Sequence, residues 1–78
     1  MKTRLTVILN NYSNAQKFNK VVNTFNDDID VIKGRYIIDG KSLMGLFTLD
    51  LSKPVDVVLW SDDKEEITRF NEAMKEFE

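Results

Sequence analysis

Short β-branched runs alternate along this chain with segments whose apolar residues recur at helical spacing, and this alternation leaves few folds open. Residues 4–9 (RLTVIL) are typical of a strand that ends at two asparagines. The next segment predicts an amphipathic helix with Asn11 or Ser13 as its N-cap. Its apolar stripe consists of Ala15, Phe18, Val21, Val22 and Phe25.

Residues 29–39 (IDVIKGRYIID) predict a hairpin of two short strands around Gly34 and Arg35. Glycine as the first residue of a two-residue loop favours a type II′ turn, because that position needs a positive φ. Residues 41–51 (KSLMGLFTLDL) then predict a helix of about two turns that begins at a Ser42 cap.

Residues 54–60 (PVDVVLW) predict a further strand, and the following stripe of Ile67, Phe70, Met74 and Phe77 predicts a last helix. Ser61 or Asp62 is the expected cap of this helix. The order β-α-β-β-α-β-α favours an α+β fold in which helices cover one face of a four-stranded antiparallel sheet. With 78 residues, we expect a single domain over residues 1–78.

Composition excludes several kinds of chemistry. The chain has no cysteine and no histidine, so disulfides, thiolate metal sites and cysteine or histidine nucleophiles are absent. It also lacks a phosphate-binding loop of the G-x-x-x-x-G-K-S/T type. We therefore expect no enzyme activity, no cofactor and no metal.

Charge and hydropathy bear on the partners. Residues 1–26 carry four basic and no acidic side chains, whereas residues 62–78 carry seven acidic and three basic ones. A nucleic-acid binder would show a denser basic patch with aromatics, so direct nucleic-acid binding is not expected. No apolar run approaches the roughly 20 residues that span a bilayer, and the first apolar run is typical of a strand rather than a signal peptide. The expectation is a cytoplasmic protein without a membrane partner.

The element order, together with Lys41-Ser42-Leu43-Met44-Gly45 at the start of the second helix, resembles HPr, the histidine-containing phosphocarrier of the bacterial sugar phosphotransferase system. In that family the second helix begins with a Lys-Ser-Ile/Leu-Met/Phe-Gly pattern. The resemblance implies the HPr open-faced β-sandwich, with strands in the spatial order 1-4-2-3 and three helices on one face.

The chain departs from the family at its phosphoryl-accepting site. Aligned from Phe18, the position of the family histidine falls on Asn11, that of the arginine on Ser13 and that of the proline on Asn14, and Ala15 is retained. A carboxamide nitrogen has a delocalised lone pair and does not accept a phosphoryl group at neutral pH. The resemblance therefore implies an HPr-like protein without phosphorelay chemistry at this position.

Ser42 supports two interpretations that are compatible. As a helix cap it contributes about 1 kcal/mol through a bond to a backbone N–H. In the family, HPr kinase phosphorylates the serine at this position, so the resemblance makes Ser42 a candidate for regulatory phosphorylation. It also implies a protein-binding surface at the starts of the first two helices, formed by Leu43, Met44, Phe47, Asn11 and Ser13.

The leading hypothesis is a non-catalytic protein that binds another protein, namely a regulator, a kinase or a transport component. It resembles the HPr homologue of catabolite repression, in which the histidine is also replaced and the serine is kept. The alternative is an unphosphorylated scaffold or assembly subunit with the same fold. The sequence leaves the oligomeric state open.

Overall fold

The computed structural model describes residues 2–78, and its four strands form one antiparallel sheet in the order β1-β4-β2-β3. Three helices and a short 3-10 turn complete the described chain, which confirms the α+β open-faced sandwich. The elements are β1 Lys2–Val7, α1 Tyr12–Val22, β2 Ile29–Lys33, β3 Tyr36–Asp39, α2 Leu43–Leu46, β4 Val55–Trp60, α3 Lys64–Met74 and the 3-10 turn Lys75–Phe77.

The core lies between the helices and one face of the sheet. Val57 at the centre of β4 is opposite Leu5 of β1 and Val31 of β2, and alternate residues along each strand point to this same side. Phe18 of α1 and Phe70 of α3 are fully buried against it. Val58 points to the opposite, open face, yet is 1% exposed because it lies between Arg4 and Asp30 on the two neighbouring strands.

The structure of the β2–β3 hairpin agrees with the turn that the sequence predicts. Lys33 pairs with Tyr36 around a two-residue loop, in which Gly34 has a φ of 60°. Asn10 is the other described residue with a positive φ, so Arg35 has a negative φ, as a type II′ turn requires. Residue-level differences from the prediction occur in the first strand, which is Lys2–Val7 rather than residues 4–9, and at helix ends.

The predicted two-turn length of the second helix is wrong, since α2 is a single turn with Phe47 as its C-cap. Thr48 ends it: both its N–H, at 3.1 Å, and its hydroxyl, at 2.6 Å, donate to the carbonyl of Gly45. This bonding between residues three apart tightens the chain and stops propagation of the helix.

The predicted caps of the last helix are also wrong. Asp63 is the N-cap of α3, and its carboxylate accepts the N–H of Glu65 at 2.9 Å. Ser61 is buried and its hydroxyl accepts the N–H of Asp63 at 3.1 Å, so it shapes the turn before the helix. Within the described chain, no helix has the length and apolar character that crossing a bilayer requires.

Candidate functional site

The start of α1 is organised by Asn11. Its side-chain oxygen accepts the N–H of Asn14 at 2.8 Å, which makes it the N-cap of the helix. Ser13, the other candidate cap, lies in the first turn of the helix and is exposed. The carboxamide of Asn11, the residue that the resemblance aligns with the family histidine, therefore caps this helix.

Hydrogen bonds of Lys41 hold the segment before α2 against α1 and against the residues that follow α1. The side-chain amides of Asn19 and Asn23 both donate to the carbonyl of Lys41, at 2.9 Å and 3.3 Å. The Lys41 ammonium in turn donates to the carbonyl of Phe25 at 2.7 Å. Because these bonds fix the backbone just before Ser42, they set where the serine lies relative to α1.

Ser42 is the N-cap of α2, as the sequence predicts. Its hydroxyl oxygen accepts the N–H of Gly45 at 3.2 Å, and its own N–H donates to the carbonyl of Asp39 at 3.0 Å. The side chain is half-buried. A serine hydroxyl has one donor hydrogen and two acceptor lone pairs, so the capping bond leaves the hydrogen for another contact.

Three large apolar side chains beside Ser42 and Asn11 face solvent. Met44 is 82% exposed, Tyr12 is 64% exposed and Phe47 is 36% exposed. Tyr12 and Phe47 meet edge to face, with ring centroids 5.0 Å apart and an interplanar angle of 79°. We call the surface formed by Asn11, Tyr12, Ser42, Met44 and Phe47 the α1–α2 face.

A shallow depression adjoins the α1–α2 face. Its volume is about 400 Å³, and its lining comes from Asn10, Asn11, Tyr12 and residues 49–52. The N–H of Asn10 donates to the carbonyl of Leu51 at 2.7 Å and ties the two loops together. Asn10 has a φ of 78°, a conformation that asparagine tolerates better than most residues.

Asp50 gives this depression an anionic rim. The hydroxyl of Ser52 donates to its carboxylate at 2.6 Å, and the N–H of Ser52 does so at 3.1 Å. These two bonds, with a smaller contribution from the charge of Lys53, lower the pKa of Asp50 below its usual range. The carboxylate is therefore ionised at neutral pH.

The groups that this site presents are small polar side chains and large apolar ones. Its polar groups are carboxamides, hydroxyls and one carboxylate, and its exposed area is dominated by a thioether and two aromatic rings. Among residues 2–78, no three acidic side chains lie close enough together to hold a metal ion. Such a surface suits binding of another macromolecule with apolar anchors.

The structure brings Asn11, Met44 and Phe47 to one face and leaves Leu43 half-buried at its margin. Sequence reasoning missed Tyr12, the aromatic residue that joins α1 to α2. An aromatic at a predicted first helical position, outside the apolar stripe, was the signal available. It also missed the anchoring role of Lys41, for which no local pattern exists.

Comparison with known proteins identifies relatives of the whole fold. Residues 12–78 match the PTS-HPr family model, described as the PTS HPr component phosphorylation site. The phosphocarrier protein HPr from Bacillus anthracis str. Ames is similar in structure with a TM-score of 0.72 and 21% identity, over 100% of this chain and 96% of that one. A search of curated proteins found no match.

Two further solved structures share the fold. HPr-C-His from Thermoanaerobacter tengcongensis has a TM-score of 0.66 and 23% identity, over 94% of this chain and 91% of that one. The histidine-containing phosphocarrier protein of Mycoplasma has a TM-score of 0.68 and 15% identity, over 95% of this chain and 89% of that one.

Proposed function

This chain belongs to the PTS-HPr family, and from that premise we propose that it is a non-catalytic member that acts by binding another protein through its α1–α2 face. The observation that carries the proposal is the exposure of Met44 beside the Tyr12–Phe47 pair in a chain without any histidine. HPr proteins are phosphocarriers that work through contacts with other proteins. This member keeps the means of contact and lacks the imidazole.

The apolar part of the α1–α2 face supports the binding role. Met44 is 82% exposed, so a partner that covers it removes apolar surface from water, which is favourable. Its flexible thioether adapts to the shape of that partner. The edge-to-face contact pre-orders Tyr12 and Phe47. Two ordered rings lose little side-chain entropy when a partner covers them, which favours their use as anchors.

Phosphorylation of Ser42 is the regulatory part of the proposal. A phosphate adds about two negative charges at pH 7 next to Met44. Because α2 has only one turn, its dipole offers little stabilisation, so the main effect is on the partner. A partner with arginine or lysine facing Ser42 gains affinity, and one with an acidic or apolar patch there loses it.

Incubation with HPr kinase and ATP, followed by mass spectrometry, tests the regulatory part. We expect one phosphate on Ser42 and none on the Ser42→Ala variant. A true HPr in the same reaction is the positive control. If that HPr is labelled and Ser42 is not, the regulatory part is wrong while the binding role stands.

Binding itself is tested by titrating purified phosphotransferase-system proteins and HPr-dependent transcriptional regulators against the chain. Met44→Asp should weaken a specific complex at least tenfold, because it places a charge in an apolar contact. Trp60→Lys is the matched control, since Trp60 is 46% exposed but is the last residue of β4, outside the α1–α2 face. Equal loss with both variants would contradict the assignment of the face.

The alternative is an unphosphorylated scaffold or assembly subunit, in which capping α2 is the whole role of the Ser42 hydroxyl. The two candidates differ in their response to the kinase. A complex that forms with equal affinity before and after Ser42 is phosphorylated supports the scaffold.

A further inference from the structure

The outer edge of β3 has backbone groups without a hydrogen-bond partner strand, and the pairing of β3 with β2 shows which groups these are. Backbone bonds join Trp60 N–H to Asp28 and Gly40 N–H to Ile29, at 3.0 Å and 2.7 Å. Since inward and outward pairs alternate along an antiparallel strand, Tyr36 and Ile38 bond to β2, and the N–H and C=O of Ile37 point away from the sheet. Ile37 is also 68% exposed.

The side chains on this edge are self-complementary. In an antiparallel pairing of β3 with a second β3 centred on Ile37, each Ile37 meets its counterpart and each Arg35 lies opposite the other copy's Asp39. Among residues 2–78, no salt bridge joins Arg35 to an acid. Opposite charges across a strand pair are favourable, so this register has both apolar and ionic complementarity.

Neighbouring registers lack this match. A shift of two residues keeps the outward groups paired but puts Asp39 or Arg35 opposite Ile37. A shift of one residue pairs outward groups with inward ones and removes the hydrogen bonds. On the helix side of the favoured register, Tyr36, which is 68% exposed, lies opposite the half-buried Ile38 of the other copy.

We propose that the β3 edge is a self-association surface, at which two copies of this chain pair their β3 strands antiparallel about Ile37 and form one continuous eight-stranded sheet. The two-fold axis passes between the two reciprocal hydrogen bonds that join the Ile37 backbones. Since β3 has only four residues, the contact area falls below that of stable dimers and the dimer is weak and reversible. This proposal goes beyond the proposed function, because it concerns a different surface, and the molecule bound there is a second copy of this chain rather than another protein.

Sedimentation equilibrium from about 10 µM to about 1 mM measures the association, a range suited to small interfaces. We expect a monomer–dimer equilibrium in the unmodified chain. Arg35→Asp and Asp39→Lys should each weaken it about tenfold or more, because each puts like charges opposite one another. An equimolar mixture of the two variants should recover the dimer, since both cross-strand pairs are then of opposite charge.

Hydrogen exchange locates the contact. The Ile37 amide should exchange more slowly as the protein concentration rises, because only the dimer gives it an acceptor. Met44→Asp is the matched control and should leave the equilibrium unchanged, while it weakens partner binding if the proposed function holds. A monomer throughout the range, a dimer unaffected by the charge variants, or a mixture that fails to associate would each overturn the proposal.

Discussion

The ring of Tyr12, the first residue of α1, meets the ring of Phe47, the C-cap of α2, edge to face at a centroid distance of 5.0 Å. The two residues are 35 positions apart, and each is partly exposed, at 64% and 36%. The contact joins the start of α1, next to its N-cap Asn11, to the helix that Ser42 caps. It therefore makes one surface of two segments that the sequence presents separately.

A double-mutant cycle measures this contact. Tyr12→Ala, Phe47→Ala and the double variant should give a coupling free energy near the lower end of about 0.5–1.5 kcal/mol, because both rings remain partly hydrated. Urea unfolding provides the free energies. A cycle of Tyr36→Ala with Phe47→Ala is the control, since no ring contact joins that pair among the described residues, and its coupling should be near zero. Equal coupling in the two cycles would contradict the contact.

The N-cap of α1 can be assigned by substitution. Asn11→Ala should lower the free energy of unfolding by about 1 kcal/mol, because the N–H of Asn14 loses its acceptor. Asn11→Asp should retain most of the stability, since aspartate caps equally well. Ser13→Ala should change it by less than about 0.5 kcal/mol, as expected for an exposed position without a cap bond. A larger loss for Ser13→Ala than for Asn11→Ala would reverse the assignment.

Gly45→Ala tests why a glycine lies inside α2. Helix propensity alone would make alanine more stable by about 1 kcal/mol. An added Cβ would lie 2.7 Å from the Cγ2 methyl of Ile38, which sits on a stiff β-branched side chain in β3. The net effect should therefore be a loss of about 1–3 kcal/mol from overpacking.

The matched experiment for Gly45 is a second cycle. In an Ile38→Ala background the clashing methyl is gone and the nearest remaining neighbour of the added Cβ is the Ser42 Oγ at 3.2 Å, so the Gly45→Ala penalty should be clearly smaller there. Thermal unfolding of the four proteins gives the comparison. A Gly45→Ala penalty of equal size in both backgrounds would show that the methyl contact is not its cause.

Asp56 links stability to pH. The hydroxyl of Thr6 donates to its carboxylate at 2.7 Å and the Arg4 guanidinium Nε does so at 2.9 Å, and these bonds lower the pKa of Asp56 in the folded chain. A lowered pKa means that the stabilisation is present above the unfolded value of about 3.9 and is lost as the pH falls through the folded value. Thr6→Val should raise the pKa of Asp56 toward its ordinary value.

The side-chain carboxyl resonance of Asp56, followed by NMR from pH 7 to 2, reports this pKa. Thr3→Val is the matched control. Thr3 lies in the same strand and pairs with Leu59, but its side chain points to the opposite side of the sheet from the side chains of Arg4 and Thr6, which bond to Asp56. It should leave the titration of Asp56 unchanged. If Thr6→Val also leaves it unchanged, the hydroxyl is not the main cause of the shift.

Much of the fold could be predicted from local patterns. The 2-residue alternation in β4, the helical stripes around Phe18 and Phe70, and Gly34 in the hairpin each depend on neighbours in sequence, and the structure has all of them. The absence of histidine needs no structure at all. The strand order came from the family resemblance, because periodicity does not state which strands are neighbours.

The tertiary structure decided the ends of the elements and the composition of the α1–α2 face. α2 stops after one turn because Thr48 bonds back to Gly45, and Asp63 displaces Ser61 as a cap because Ser61 is buried in the preceding turn. Tyr12 joins the face only because α1 and α2 are packed side by side, held by amides that reach Lys41. Contacts between residues far apart in the chain leave no local signature, so exposure and adjacency at the site follow from packing alone.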